Sequence, residues 1–317
     1  MKKVFMLSSI GGLLSQNVST CLRDAFPESY LVGTDIHLEH AGNHFVNEFV
    51  LTERAESKTF LAQLARTIDK YRPNFYFPLN EVELMRLTEL PITDREEIFK
   101  VTQLVWSGQD VLKKFLNKDQ TMAFLDSISI RRPKTYSPLS SNEMKFPVVV
   151  KPNNGSGSKN LFLCETFAQY EAAIVFVNNP IIQEYIPSSD TEYTVGVFAK
   201  RGEDAKCIAF RRKLSPGGGT SWCETYFDQK LEDICKRVAT AIDLHGSINI
   251  QLRKHEGEYY IFEVNPRFSS TVHIRSKLGF QDVLWSIEDS DNFSLFDSKG
   301  VQASRYAVVQ SEVELGI

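Results

Sequence analysis

Three apolar segments set apart by helix-spaced stretches open the chain, and they restrict its fold more than any other feature. Lys3 to Leu7, Tyr30 to Ile36 and Asn74 to Pro78 read as buried strands. Between them, Val18, Cys21, Leu22 and Ala25 mark one helix face, and Phe60, Leu61, Leu64 and Ile68 mark another. This βαβαβ rhythm requires a parallel sheet covered by helices, because parallel strands are joined by crossover helices rather than tight turns. After a break at Trp106-Ser107-Gly108 and a helical stretch from Lys118 to Leu125, strands prevail. Phe146 to Lys151, Tyr193 to Ala199, Lys206 to Arg211, Ser247 to Arg253 and Tyr259 to Val264 alternate or run β-branched. Helices are expected at Phe167 to Val177 and Leu231 to Leu244, with a last edge strand from Arg305 to Val309.

Composition removes several function classes. The 317 residues are 42% hydrophobic and 24% charged, which excludes disorder, collagen and coiled coil. No apolar run approaches the ~20 residues that span a bilayer. The apolar start Val4 to Leu7 breaks at Ser8-Ser9, far short of the about 7–15 residues of a signal-peptide core. A net charge of -4 offers nucleic acid or an anionic membrane no general attraction. The odd five cysteines, Cys21, Cys164, Cys207, Cys223 and Cys235, are scattered without a C-x-x-C. Reduced thiols in a cytoplasmic protein are the expectation.

Three segments carry chemistry. In Lys151-Pro152-Asn153-Asn154-Gly155-Ser156-Gly157-Ser158 a strand delivers a lysine, and small residues then let backbone N–H groups approach anionic oxygens. The lysine precedes the glycines and no G-K-[ST] follows, so this is not a Walker A loop. Ile182 to Ile186, with Glu192 eight residues after Glu184, can set a carboxylate and backbone groups against a base or ribose. Third, Ile248 to Arg253 and Tyr260 to Arg267 are strands joined by His255 to Tyr259. A period of two puts Asn249, Gln251 and Arg253 on one face, and Glu263, Asn265 and Arg267 on another, with Phe262 and Val264 toward the core. A three-residue loop Glu256-Gly257-Glu258 would pair His255 with Tyr259 and set Gln251 opposite Glu263. These oxygen donors suit Mg²⁺, which takes a carboxylate or two plus substrate phosphates.

Together the three segments resemble the ATP-grasp superfamily, in particular its branch like the carbamoyl-phosphate synthase large chain, over nearly the whole sequence. Phe146 to Ser158 is similar to the family's lysine strand and glycine-rich loop, and Gln183 to Ile186 to its hinge. Phe262-Glu263-Val264-Asn265-Pro266-Arg267-Phe268-Ser269-Ser270 resembles its metal and phosphate signature. Asn117-Lys118-Asp119-Gln120-Thr121 resembles the basic motif before the first helix, with Asn117 where the family usually has Asp. The resemblance implies a mixed α/β and α+β protein: a Rossmann-like pre-ATP-grasp domain over 1–106 and a two-lobed ATP-grasp domain over 107–317. The small lobe would run from about 120 to 186 and the large lobe from about 187 to 317.

By the same resemblance, Lys118, Lys151 and the loop Gly155, Ser156, Gly157 and Ser158 hold ATP phosphates. Gln183, Glu184, Tyr185 and Ile186 frame the adenine, and Glu192 binds the ribose. Gln251, Glu263 and Asn265 coordinate Mg²⁺, with Mn²⁺ as a substitute, and Arg267, with Lys151, acts on the transferring phosphoryl group. The implied activity is an ATP-dependent ligase that turns a small carboxylate into an acyl phosphate and joins it to an amine or similar nucleophile, releasing ADP and phosphate. A non-catalytic nucleotide-binding homologue is the rival, against which the intact Glu263 and Asn265 pair counts. A carboxylating or acid–thiol ligase is a second rival, for which no biotinyl-lysine context or phosphohistidine site stands out. Small-molecule substrates are expected, without nucleic acid or membrane, and with room for a homodimer.

Four further features invite a reading. Ser8 to Gly12 with Asp35 mimics a dinucleotide fingerprint but lacks G-x-G-x-x-G. His37, His40 and His44 have metal-like spacing without a matching downstream ligand. Leu214 to Ser221, with Gly217-Gly218-Gly219, is a mobile loop, either a connector or a lid beside Arg211 and Arg212. Asn80-Glu81-Val82-Glu83 follows the third strand, where Asn80 and Glu83 can cap a helix and where ligands of parallel sheets bind.

Overall fold

The computed structural model describes residues 2–138, 144–155, 160–187, 192–215, 217–287 and 292–309. The expected parallel sheet comprises β1 (Val4–Ser8), β2 (Tyr30–Asp35), β3 (Glu48–Leu51), β4 (Phe75–Phe77) and β5 (Gln103–Leu104), in the order β3-β2-β1-β4-β5. Every pairing in it is parallel. Helices α1 (Leu13–Ala25), α2 (Phe60–Tyr71), α3 (Glu81–Thr88) and α4 (Ile92–Ile98) connect the strands. Val18, Cys21 and Leu22 are buried as their spacing predicts, whereas Ala25, in the last turn of α1, is exposed. The edge strands β3 and β5 escape the sequence reading because four and two residues are too few to show a period.

Helices α5 (Gln109–Phe115) and α6 (Lys118–Ser127) lead into a four-stranded antiparallel sheet of β6 (Thr135–Tyr136), β7 (Val148–Pro152), β8 (Phe162–Cys164) and β9 (Pro180–Glu184), ordered β6-β9-β7-β8. Helix α7 (Phe167–Phe176) begins in a capping box made by Thr166 and Gln169. It closes a separate core of Val148, Val150, Cys164, Tyr170, Ala173 and Ile182.

The third sheet holds β10 (Glu192–Ala199), β11 (Lys206–Leu214), β12 (Thr220–Tyr226), β13 (Gly246–His255), β14 (Glu258–Asn265) and β15 (Arg305–Ala307), ordered β14-β13-β10-β11-β12-β15. Helix α8 (Gln229–Ala241) covers one face, where Val195, Val197, Ile248, Ile250, Leu252 and Val264 meet Leu231, Cys235 and Val238. Met122 and Leu125 of α6 join this core rather than that of the four-stranded sheet. The segment expected as a loop from Leu214 to Ser221 is the connection of a hairpin: Leu214 ends β11 and Thr220 begins β12. Ser215 N donates to Gly219 O at 2.8 Å and Gly218 N to Ser215 O at 2.9 Å, closing a tight turn; Pro216 lies outside the described residues.

On the opposite face, helices α9 (Val272–Lys277), α10 (Asp282–Trp285) and α11 (Asn292–Leu295) follow β14. Arg275 and Asp282, both fully buried, pair across a short contact, and Ser247 Oγ donates to Asp282 Oδ2 at 2.6 Å. Gly196 of β10 makes room for this pair: a Cβ there would lie 2.6 Å from Arg275 Nη1. Phe268, Val272, Val283 and Ile287 share one core with Phe5, Leu7, Val18 and Leu22, so the first sheet and the six-stranded sheet are joined by apolar contact. All five cysteines are buried and free. Among the described residues no helix is long and apolar enough to cross a membrane.

Candidate active site

The β13–β14 hairpin brings together Gln251, Glu263 and Asn265, by a route that differs from the expected one. The loop has two residues, not three: Glu256 (φ 49°) and Gly257 (φ 79°) both take positive φ, as a type I′ turn requires, and His255 pairs with Glu258. That shift alone would separate Gln251 from Glu263. A β-bulge between Leu252↔Ile261 and Gln251↔Glu263 inserts Phe262 and restores the pairing. The bulge also turns Phe262 away from the core where the sequence reading set it. Its ring stands 5.5 Å from Lys151 Nζ and 5.6 Å from the Arg253 guanidinium, while Val264 stays in the core.

Two lysines reach this hairpin, Lys118 from helix α6, which packs against the same sheet, and Lys151 from β7 of the four-stranded sheet. Lys118, at the start of α6, donates to Gly155 O at 2.7 Å and lies 3.8 Å from Glu263 Oε1. Asn117 caps α6 by accepting from Gln120 N at 2.9 Å, a role Asp would fill equally, so the departure from the family's usual residue leaves the helix start intact. Buried Asn153 ties α6 to the glycine-rich loop: its carbonyl accepts from Lys118 N at 3.1 Å and its Oδ1 from Asp119 N at 3.0 Å. Lys151, on β7, is 7% exposed and donates to Phe262 O at 3.4 Å. Burial pulls its pKa down to about 8; Lys118 and Arg253 push the same way and Glu263 opposes them. Gly155 takes φ 104°, which favours glycine, and Ser156, Gly157 and Ser158 lie outside the described residues.

The hinge segment is held to the large sheet by Arg253, which donates to Ile186 O at 3.0 Å and stacks over the Tyr185 ring at 5.2 Å. Glu184 faces the β6 edge, accepting from Lys134 N at 3.1 Å. Gln183 is 2% exposed and its Nε2 has no partner. Glu192 is engaged by Arg212 (Nη2 to Oε1, 2.5 Å) and lies 4.0 Å from Arg253 Nη2. Arg211 and Arg212 point to opposite faces of β11, as adjacent strand residues must. Arg212 is buried beside Glu192, whereas Arg211 pairs with Glu224 on the other side, so only one arginine of the two serves this face.

The structure adds a role for a residue in the segment that the sequence offers as a helix cap or a ligand-binding turn. Glu81, 7% exposed in the first turn of α3, accepts from Arg267 Nη2 at 2.8 Å. Asn80 meanwhile makes the expected cap on Glu83 N at 2.8 Å. His40 Nδ1 accepts from Gly42 N at 3.1 Å, and His37 and His44 are exposed. His40 Nε2 lies 3.9 Å from Asp35 Oδ2, but among the described residues no three His, Cys, Asp or Glu side chains cluster as a metal site would need. For the same reason a metal at the hairpin would rely on one carboxylate, two amide oxygens and phosphate oxygens. That hard-oxygen donor set fits Mg²⁺, and Gln251 stands directly opposite Glu263 to supply it.

A parallel sheet beside two antiparallel sheets, with Lys118 and Lys151 gathered at an acid–amide hairpin, describes a class of fold. Comparison with known proteins makes it specific. A family model described as "ATP-grasp in the biosynthetic pathway with Ter operon" matches residues 177–309. The D-alanine–D-alanine ligase of Fusobacterium nucleatum is 29% identical over 180 residues, 50% of this chain and 60% of that protein. The carbamoyl phosphate synthase large chain of Clostridium beijerinckii is 30% identical over 177 residues, 49% of this chain and 16% of that one. The matched region thus spans less than two thirds of either relative. In fold, the chain is similar to an L-amino acid ligase from Bacillus licheniformis (TM-score 0.73, 14% identity, 99% of this chain and 81% of that one). It is also similar to an ADP complex of N5-carboxyaminoimidazole ribonucleotide synthetase (TM-score 0.70, 15% identity, 90% and 76%). In sequence over residues 177–309 and in fold over most of its length, the chain is similar to ATP-grasp proteins.

Proposed function

We propose that the chain is a cytoplasmic ATP-dependent ligase that activates a small carboxylate as an acyl phosphate and joins it to an amine, releasing ADP and phosphate. The observation that carries this reading is the gathering of Lys118, 3.8 Å from Glu263, and Lys151, bonded to Phe262 O, on the acid–amide hairpin, in a chain of ATP-grasp fold. Residues 1–106 act as the pre-ATP-grasp domain and 107–317 as the two-lobed body. Lys118, Lys151 and the loop beginning at Gly155 hold the phosphates. Gln183 to Ile186 frame the adenine, with the unpartnered Gln183 Nε2 available to a ring nitrogen. Glu192 meets the ribose while Arg212 and Arg253 hold its carboxylate in place.

Gln251, Glu263 and Asn265 would hold Mg²⁺, which supplies charge neutralisation at the β- and γ-phosphates. The chain's residues then position the reactants. The substrate carboxylate oxygen forms a bond to the γ-phosphorus as the bond to the ADP oxygen breaks, and Arg267 and Lys151 stabilise the charge on the moving phosphoryl oxygens. The amine nitrogen next bonds to the acyl carbon, phosphate leaves, and the nitrogen gives up a proton. No side-chain nucleophile is required. The four-stranded sheet closing over the cleft excludes water that would hydrolyse the acyl phosphate.

The test is ADP release, screened across amino acids and small carboxylates paired with amines. Glu263→Gln removes the one carboxylate of the donor set with almost no change of volume. It should abolish ADP release and leave the thermal melt unchanged. Near-normal turnover of Glu263→Gln at saturating Mg²⁺ would sink the metal assignment.

A further inference from the structure

Arg267 stands just beyond β14, and its guanidinium is gripped on more than one side. Nη2 donates to Glu81 Oε1 at 2.8 Å and to Asn265 Oδ1 at 3.3 Å, and Nη1 donates to Phe268 O at 3.0 Å. Nε is buried and has no partner. A guanidinium carries five N–H donors in a rigid plane, so three are committed, and the Nε proton and one Nη1 proton remain for an incoming anion. The committed donors fix the plane of the group. Of their acceptors, only Glu81 is charged, and only Glu81 comes from the first domain.

We propose that Glu81 is a positioning residue of the first domain: it clamps Arg267 so that its uncommitted N–H groups face the transferring phosphoryl oxygens. This rests on the ligase reading for the identity of the reaction, but not for the clamp itself. The pair is not needed to dock the two parts. Their shared core of Phe268 and Val272 with Phe5, Leu7 and Val18 already does so, together with Asn17 Nδ2 donating to Ser270 O at 2.7 Å and Ser107 Oγ donating to Ser247 O at 2.7 Å. The first turn of α3 also favours a carboxylate at this position. Without it, the guanidinium keeps only neutral acceptors and its plane is no longer fixed by a charged partner.

The experiment compares wild type with Glu81→Gln and Glu81→Ala in the full chain. Turnover is followed as ADP release. Binding is measured by calorimetry with Mg²⁺ and ADP alone, and again with aluminium fluoride added as a mimic of the phosphoryl group in flight. The expected result is ADP affinity within twofold of wild type in both variants. Glu81→Ala should lower kcat at least tenfold with little change in the KM for ATP, and it should lose the extra affinity gained with fluoride. Glu81→Gln, which keeps the hydrogen bond but not the charge, should fall between. Two outcomes overturn the proposal: Glu81→Ala that turns over, or binds the fluoride complex, within twofold of wild type; or loss of ADP affinity and melting temperature together with activity, which marks a purely structural link. Wild type that releases no ADP with any substrate pair sinks the ligase reading instead, and the fluoride comparison still decides the role of Glu81.

Discussion

Lys151 offers the sharpest quantitative test of the site. Burial holds its pKa near 8, against an ordinary 10.5. A group of that pKa is roughly nine-tenths protonated at pH 7 and about one-tenth at pH 9. If phosphate binds the ammonium form, nucleotide affinity should weaken about tenfold between these values, ~1.4 kcal/mol. The phosphate groups add no slope of their own, since their second ionisation lies near pH 6. The cysteines are also silent here: burial raises Cys21 to about 12 and Cys223 to about 11, and it pushes Cys164, Cys207 and Cys235 upward as well. The assay is calorimetric titration of ADP with Mg²⁺ at pH 7, 8 and 9, for wild type and Lys151→Met. Lys151→Met should bind about ten- to a hundredfold more weakly at pH 7, the ~1.5–3 kcal/mol of a charge-assisted hydrogen bond, and should show no slope. Stability gives an independent sign. Between pH 8 and 10.5 the unfolded lysine holds more proton than the folded one, so this lysine's own contribution to the stability of the nucleotide-free protein grows as pH rises; the raised cysteines push the other way in both proteins, so the gain is read as a rise in the stability of wild type relative to Lys151→Met across that window. Equal wild-type affinity at pH 7 and 9, or the same slope in Lys151→Met, would refute the reasoning.

Two further outcomes are expected. Gly196→Ala puts a methyl group 2.6 Å from Arg275 Nη1, against a fully buried ion pair that has little room to shift, and should cost about 1–3 kcal/mol in urea unfolding. A loss below ~0.5 kcal/mol would show that Arg275 moves freely. Amide exchange in the turn of Gly217 to Gly219 should slow when Mg²⁺ and an ATP analogue are added, and replacing the three glycines with alanine should lower turnover more than affinity; unchanged exchange makes the turn a plain connector.

What could be read from the sequence was local in origin. The facing of Gln251 and Glu263 follows from a period of two and a short hairpin, both contained within twenty residues. Even there the expected three-residue turn was wrong by one, and a bulge at Phe262 compensated for it. Bulges leave no reliable mark in a single sequence, and this one also moved Phe262 from the core to the cleft. Short edge strands such as β5 were silent because two residues carry no period. The contacts that reach farthest were the least visible. Arg275 and Asp282 look like surface charges between Ile274, Leu278 and Phe280, and only the opening at Gly196 reveals them as interior groups. Glu81 and Arg267 are separated by 186 positions, and no periodicity connects residues that meet only when two sheets pack.

The unequal division of the apolar cores has a mechanical consequence. The first sheet and the six-stranded sheet are joined through Phe268 and Val272 into one anvil, while the four-stranded sheet and α7 form a jaw with a core of its own that touches the anvil's core through Ile181 of β9. Opening and closing the cleft then requires only one body to swing. Its pivot is the stretch after β9, where Arg253 of the anvil grips Tyr185 and Ile186. Lys151 rides on the jaw, whereas Glu263, Asn265, Arg267 and Glu81 all belong to the anvil. Such a swing would carry Lys151 toward Glu263, Asn265, Arg267 and Glu81 while leaving the alignment of those four with one another unchanged.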